Sequence, residues 1–266
     1  MFDSFNRNIN YLRISITDRC NLRCLYCMPA EGIPLIPHEQ ILSYEEITKV
    51  VKEAVALGIS KVRITGGEPL VRRGVETLVG MIVAIGGITD LSMTTNGILL
   101  DRFARSLKSA GLHRVNISLD AINPSRYREI TRGGEVEQVL RGIEAAREAG
   151  LNPVKINCVV QHSSDEKDAR EVREYCLKHG LGIRFIHQMS LGHGSFTVVE
   201  GGDGGNCARC TRLRLTAAGK VKPCLFNDME FDIHTLGIRE ALLHAIRNKP
   251  EKGSVNTLNT FNNIGG

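Results

Sequence analysis

The sequence is short of several things, and each shortage narrows what it encodes. No run of eighteen apolar residues occurs in its 266 positions, so no segment has the length and character of a membrane-spanning helix. The opening stretch MFDSFNRNIN holds no apolar leader, and the chain is expected to be soluble and cytoplasmic with no membrane partner. Lys and Arg total 34 against 29 Asp and Glu, and they never gather into a block. That mild excess favours anionic ligands and gives no footprint for nucleic acid. Cysteine is the most telling shortage. Six of the eight form two triads, and neither triad has a fourth thiol beside it.

The first triad lies in RCNLRCLYCMP (19–29), where Cys20, Cys24 and Cys27 are separated by three residues and then two. The second lies in CARCTRLRLTAAGKVKPC (207–224), with Cys207 and Cys210 two residues apart and Cys224 after thirteen more. Such tight groups suit metal ligation in a reducing compartment better than a disulfide framework. Cys158 and Cys176 fall at the end of one strand and within the next helix, where isolated cysteines pack as small apolar groups. If each triad holds a four-iron cluster, one iron in each stays open to a ligand that is not protein. The absent thiol is then functional.

Short β-branched runs alternate with helix-like stretches. YLRISIT (11–17), KVRIT (61–65), LSMTT (91–95), HRVNISL (113–119), PVKINCVV (153–160) and GIRFIHQ (182–188) read as six strands. SYEEITKVVKEAVALG (43–58) places Ile47, Val50, Val51, Ala54 and Val55 on one helical face, and EVEQVLRGIEAAREAG (135–150) follows the same design; both end in glycine. Repeated βα units imply a parallel sheet or partial barrel. The unusual residues follow the strands: the first triad, then GGEP (66–69), TTNG (94–97), and Ser118 with Asp120, at the edge where such folds carry their sites.

The last strand gives way to SLGHGSFTVVEGGDGGN (190–206), a glycine-rich connection. The expected domains are 1–189, a partial barrel, and 207–266, a small cluster-bearing unit. RLRLT and KVKPC around Ala217-Ala218-Gly219 read as a β-hairpin. In its simplest register Thr216 faces Lys220, Arg214 faces Lys222 and Arg212 faces Cys224. Arg212, Arg214 and Lys222 then share the cluster side, Leu213 and Leu215 point to the core, and an anion such as phosphate would relieve the opposed charges.

CNLRCLYC followed by GGEP resembles the radical S-adenosylmethionine (SAM) superfamily. YLRISITDRCNLRCLYCMP, KVRITGGEPLVRRG, TTNGILL, GLHRVNISLDAINPSRYREITRGG, GLNPVKINCVV, CARCTRLRLTAAGKVKPCLF and a terminal Gly-Gly are similar, nearly end to end, to the GTP 3',8-cyclases of molybdenum cofactor biosynthesis. The resemblance implies a partial (β/α)6 barrel with a C-terminal iron–sulfur unit, two [4Fe–4S] clusters and SAM. It also implies GTP as substrate, a low-potential electron donor of flavodoxin or ferredoxin type, and room for a homodimer. By position it makes Cys20, Cys24 and Cys27 ligands of the SAM cluster, and Tyr26, Gly67, Ser118 and Met189 contacts to SAM. Cys207, Cys210 and Cys224 become ligands of the second cluster, and Arg13, Arg63, Thr94, Lys155, Arg212 and Arg214 contacts to GTP. No catalytic side chain is implied, since the radical arises at cluster-bound SAM. The family carries a longer stretch between Met189 and the second triad than 190–206 provides. The terminal glycines of FNNIGG (261–266) match a tail that in the family enters the active site.

Other readings remain open on the residues alone. Either triad could hold structural zinc, the second with His187, His193 or His234 as fourth ligand. GGEP could be a turn, and Arg13, Lys155, Arg212 and Arg214 could be solvated. The substrate could be another nucleotide or a peptide, and a metal-stapled module binding nucleic acid would predict zinc and no SAM cleavage.

Overall fold

Alternation along each strand decides the architecture. The computed structural model describes residues 1–264, the side chains of Asn262 and Asn263 excepted, so the expectation placed on Gly265 and Gly266 lies outside the described residues. Six parallel strands run in sequence order: β1 (Tyr11–Ser15), β2 (Lys61–Thr65), β3 (Asp90–Thr95), β4 (Arg114–Ser118), β5 (Lys155–Val160) and β6 (Gly182–His187). The connecting helices are α1 (Tyr44–Ala56), α2 (Val75–Val83), α3 (Leu100–Ser109), α4 (Pro124–Thr131), α5 (Val136–Glu148) and α6 (Lys167–Lys178). Leu12, Ile14, Val62, Ile64, Leu91, Met93, Val115, Ile117, Ile156 and Cys158 alternate onto the helix-covered face and are buried. Cys158 and Cys176 both lie in this core, as expected. The opposite face carries polar residues and forms the barrel interior.

On α1 the apolar stripe is buried at Ile47, Val50, Val51 and Ala54, while Val55 is only half-buried at its margin. Ser43 and Glu46 cap this helix reciprocally. Gly58 and Gly150 take positive φ after α1 and α5, the conformation a helix-ending glycine supplies.

The chain then crosses the open side of the barrel. Phe185 and Glu200 exchange both backbone hydrogen bonds, Arg184 Nε donates to the Gly201 carbonyl at 3.4 Å, and Arg212 donates to the Asp203 carbonyl at 3.2 Å. The glycine-rich connection is therefore a strap joining β6 to the hairpin. That hairpin is β7 (Arg212–Leu215) and β8 (Lys220–Lys222), with β9 (Phe231–Asp232) beyond. β7 pairs in parallel with the free edge of β1, which extends the sheet to nine strands in the order β6-β5-β4-β3-β2-β1-β7-β8-β9. α7 (Ile233–Leu236), α8 (Ile238–Arg247) and α9 (Phe261–Ile264) complete the chain. Among the described residues no helix is long and apolar enough to cross a membrane.

Candidate active site

β1 ends at Ser15, and the next turn is built by close backbone approach. Gly67 N–H donates to the Thr17 carbonyl at 2.7 Å and Glu68 N–H to the Arg19 carbonyl at 2.8 Å. A Cβ on Gly67 would stand 2.4 Å from the Arg19 carbonyl oxygen, so only glycine lets the GGEP segment lie against the residues leading into Cys20. The Glu68 carboxylate accepts from Leu70 N–H, Thr95 Oγ1 and Asn96 N–H, which locks the end of β2 to the end of β3. Burial pushes this carboxyl up to about 7.

The three thiols of Cys20, Cys24 and Cys27 line one end of a cavity of about 200 Å³, together with Tyr26, Gly67, Thr94, Ser118 and Met189. Tyr26 donates to Asp120 at 2.7 Å, and Asp120 also accepts from Val159 N–H, so the tyrosine is fixed by β5 through one buried carboxylate. Burial pushes Asp120 up to about 6. It also raises Cys24 far above a free thiol, with Asp120 and the neighbouring thiols adding to the effect, and pushes Cys27 up to about 11. Two polar atoms on the cavity lining, Thr94 Oγ1 and Asn157 Oδ1, are buried and hydrogen-bond nothing among the described residues. Three thiols gathered in a pocket with unspent polar groups fit a cluster, whose cationic core would offset the cost of burying thiolates, and a polar ligand on it.

A larger cavity of about 470 Å³ adjoins the first, and Asn157, Ile186 and Met189 line both. It holds the second triad. The pairing of β2, β1 and β7 sets Arg63, Arg13 and Arg214 abreast across its inner wall. Each is no more than 9% exposed, and Arg63 lies over the Tyr11 ring. Burial, then neighbouring guanidinium groups, lowers Arg13 and pushes Arg214 down to about 10. Adjacent buried cations of this kind make a cavity that calls for a polyanion. Lys155, on β5, is absent from the cavity lining and is held low first by burial and then by Arg184, Arg114 and Arg63. Thr94 lines the smaller cavity and not the larger one.

The hairpin register is as expected, with Arg214 opposite Lys222 and the Thr216 amide bonded to the Lys220 carbonyl. Leu213 and Leu215 are fully buried. Lys222 departs from expectation. Its Nζ turns to Glu230 Oε1 at 3.2 Å and the Met229 carbonyl, because a carboxylate arriving from beyond the hairpin is a better partner than a crowded cationic wall.

The histidines considered as zinc ligands are engaged elsewhere: His187 meets Glu200, His193 meets Ser190 Oγ, and His234 sits beside Gly219. Among the described residues no three Cys, His, Asp or Glu side chains gather around a single ion position. The second triad differs electrically from the first. Burial alone would raise Cys210, yet Lys249 and then Arg212 outweigh it and hold that thiol at about 6. Thiolates beside fixed cations suit an iron–sulfur cluster.

Sequence reasoning overlooked Asn157, Arg184, Arg114 and Lys249, all on the larger cavity. Arg114 pairs with Asp90 at 2.6 Å and keeps a buried Nη1 without a bond among the described residues. The one available signal for Asn157 and Arg184 was their inward phase in β5 and β6.

Residues 14–176 match the model of the radical SAM superfamily. A GTP 3',8-cyclase of Thermodesulfovibrio yellowstonii is 42% identical with all of both chains covered, and one of Alkaliphilus oremlandii is 44% identical over 95% of this chain and 94% of its own. The first alignment spans 322 positions against 266 residues here, so at least 56 positions have no counterpart in this chain. Among solved structures, Streptococcus suis SuiB bound to S-adenosylmethionine superimposes with a TM-score of 0.66 at 16% identity, over 92% of this chain and 64% of its own.

Proposed function

This chain belongs to the radical SAM superfamily and, within it, to the GTP 3',8-cyclases, and from that premise we propose that it cyclises GTP to 3',8-cyclo-7,8-dihydro-GTP in molybdenum cofactor biosynthesis. When bound and reduced, a [4Fe–4S] cluster with SAM would supply the 5'-deoxyadenosyl radical needed to remove the ribose C3' hydrogen and so allow C3' to bond to purine C8. The rest of the task falls to the chain, as is usual for cofactor enzymes.

Cys20, Cys24 and Cys27 hold that cluster, and Tyr26, Gly67, Ser118 and Met189 shape the SAM side of the smaller cavity. Cys207, Cys210 and Cys224 would hold a second [4Fe–4S] cluster on the larger cavity, where it would serve to bind the guanine. Arg13, Arg63, Arg212 and Arg214 receive the triphosphate, with Arg114 on the same cavity and Lys155 on β5 adding to the positive field. Thr94, on the smaller cavity, contacts the part of the nucleotide that reaches in from the larger one. Residues 1–189 thus carry the SAM side and part of the nucleotide wall, 207–266 carry the rest of the nucleotide site, and the strap 190–206 joins them. The electron comes from a low-potential donor of flavodoxin or ferredoxin type in the cytoplasm.

One observation carries the reading: two cavities, each with its own cysteine triad, share Asn157, Ile186 and Met189, so a nucleotide in one can present its ribose to a radical formed in the other. The test is anaerobic reconstitution with iron and sulfide, reduction with dithionite, and addition of SAM with GTP. Mass spectrometry is expected to find 5'-deoxyadenosine and a product isomeric with GTP. 5'-Deoxyadenosine with GTP unchanged would keep the radical SAM class and remove GTP as substrate.

A further inference from the structure

The second triad is held by two buried cations that arrive from opposite ends of the chain. Lys249, just beyond α8, donates from Nζ to the Arg212 carbonyl at 2.8 Å and to the Pro223 carbonyl at 2.6 Å. Pro223 precedes Cys224, and Arg212 lies two residues past Cys210, so one ammonium joins the two strand ends that carry those ligands. Arg7 does the same for the remaining ligand. Its Nη1 donates to the Cys207 carbonyl at 2.8 Å and the Glu251 carbonyl at 3.0 Å, and its Nη2 to the Pro250 carbonyl at 2.7 Å. All three ligand positions are thereby tied through residues 249–251.

The two cations differ in what neutralises them. Arg7 has Asp3 at 2.6 Å, both side chains being buried. Lys249 is 3% exposed, lines the larger cavity, and pairs with no carboxylate among the described residues. Its ammonium instead faces the thiols of Cys210 and Cys224. A charge this deeply buried requires an opposite one close by, and thiolates are the anions within reach.

The first triad has the opposite surroundings. Asp120 faces Cys24 and Glu68 faces Cys20, both carboxyls buried. Arg23 acts on Cys20 from a partly exposed position with its guanidinium spent on the Cys20 and Leu22 carbonyls, and the exposed Arg132 is spent on the Arg23 and Met28 carbonyls. Adding an electron to a cluster adds negative charge, which a fixed buried cation favours and buried carboxylates oppose.

We propose that Lys249 is a positioning residue of the second triad, tying its ligand-bearing strand ends together and holding a cluster there at a higher reduction potential than a cluster at the first triad. This deepens the reading of the second triad as an iron–sulfur site and rests on it.

The experiment is an EPR-monitored redox titration of the reconstituted full-length protein without nucleotide, comparing wild type with Lys249→Gln and Lys249→Arg. Added SAM perturbs the signal of the first cluster and so separates the two. In wild type the cluster indifferent to SAM is expected to reduce first. In Lys249→Gln its midpoint shifts to lower potential while the SAM-responsive cluster stays in place, and Lys249→Arg restores most of the shift. An unmoved midpoint in Lys249→Gln, with iron for two clusters present, overturns the proposal and leaves the cluster assignment standing. Iron for one cluster in the wild type, with zinc in the second triad, overturns both. If Lys249→Gln fails to accumulate, Lys249→Arg with a midpoint below the SAM-responsive cluster counts against the proposal.

Discussion

Arg13 and Arg214 face each other in the parallel pairing of β1 with β7, both buried, on a wall that Arg63 continues. Folding alone gives no reason to place like charges side by side in a half-closed cavity, whereas a polyanion bound between them does. Replacing Arg212 and Arg214 together by alanine is expected to leave reductive cleavage of SAM in place and to abolish conversion of GTP. In the cluster-free protein, inorganic tripolyphosphate is expected to raise the melting temperature of the wild type and to leave that of the double variant unchanged at matched ionic strength. Normal GTP turnover by the double variant would remove the triphosphate assignment.

Cys24 is the central thiol of the first triad in sequence, and the buried Asp120 acts on it. Cys24→Ser is expected to lose the first cluster, to halve the iron content, and to form no 5'-deoxyadenosine with or without GTP. The second cluster's signal should persist, because its ligands hang on β7, β8 and the 249–251 segment. Retained SAM cleavage would refute the ligand set.

Gly67→Ala tests the close approach beside the first triad. The new Cβ would meet the Arg19 carbonyl oxygen at 2.4 Å, and overpacking against backbone is expected to cost about 1–3 kcal/mol and to weaken SAM binding. Gly80→Ala in α2 has no atom within 4 Å of its new Cβ and is expected to stabilise by about 0.5–1 kcal/mol through helix propensity. Urea titrations of both variants read the two signs. Equal effects would mean that the GGEP contact is looser than its geometry.

Glu68 makes stability depend on pH in an unusual direction. Its carboxyl titrates near 7 in the fold because burial disfavours the anion, against 4.5 for an ordinary glutamate. Between those values the folded state keeps a proton that the unfolded chain has released, so stability falls as pH rises from 4.5 to 7. The accumulated loss is about 3 kcal/mol at roughly 1.36 kcal/mol per pH unit. Denaturant melts of the cluster-free protein are expected to show a steeper decline from pH 5 to pH 7 in the wild type than in Glu68→Gln. Parallel declines would contradict this.

Much of the barrel was legible because β-branched residues at period two and helices ended by glycine are local signals. KVRIT coincides with β2 residue for residue, while YLRISIT outruns β1 because Ile16 and Thr17 leave the strand to meet the GGEP segment. The hairpin register was legible from its turn. The partner of Lys222 was not, since Glu230 lies in a stretch with no periodicity of its own. Asn157 reads in sequence as an ordinary polar residue of a strand, and only the meeting of two cavities gives it a place. Arg7 and Lys249 are single cations in unremarkable contexts, 242 positions apart, and nothing local says that both bond the same short segment.

The addition of β7 to the edge of β1 also fixes a length. Cys210 stands just before the residue that pairs with Tyr11, and Cys20 follows the far end of the same strand. The two triads are thus mounted towards opposite ends of one short strand, whose five residues rise about 3.3 Å each. β1 acts as a gauge block. Its length fixes how far apart the two triads stand along the sheet, and a one-residue slip of β7 against it would both shift the second triad and turn Arg214 away from Arg13.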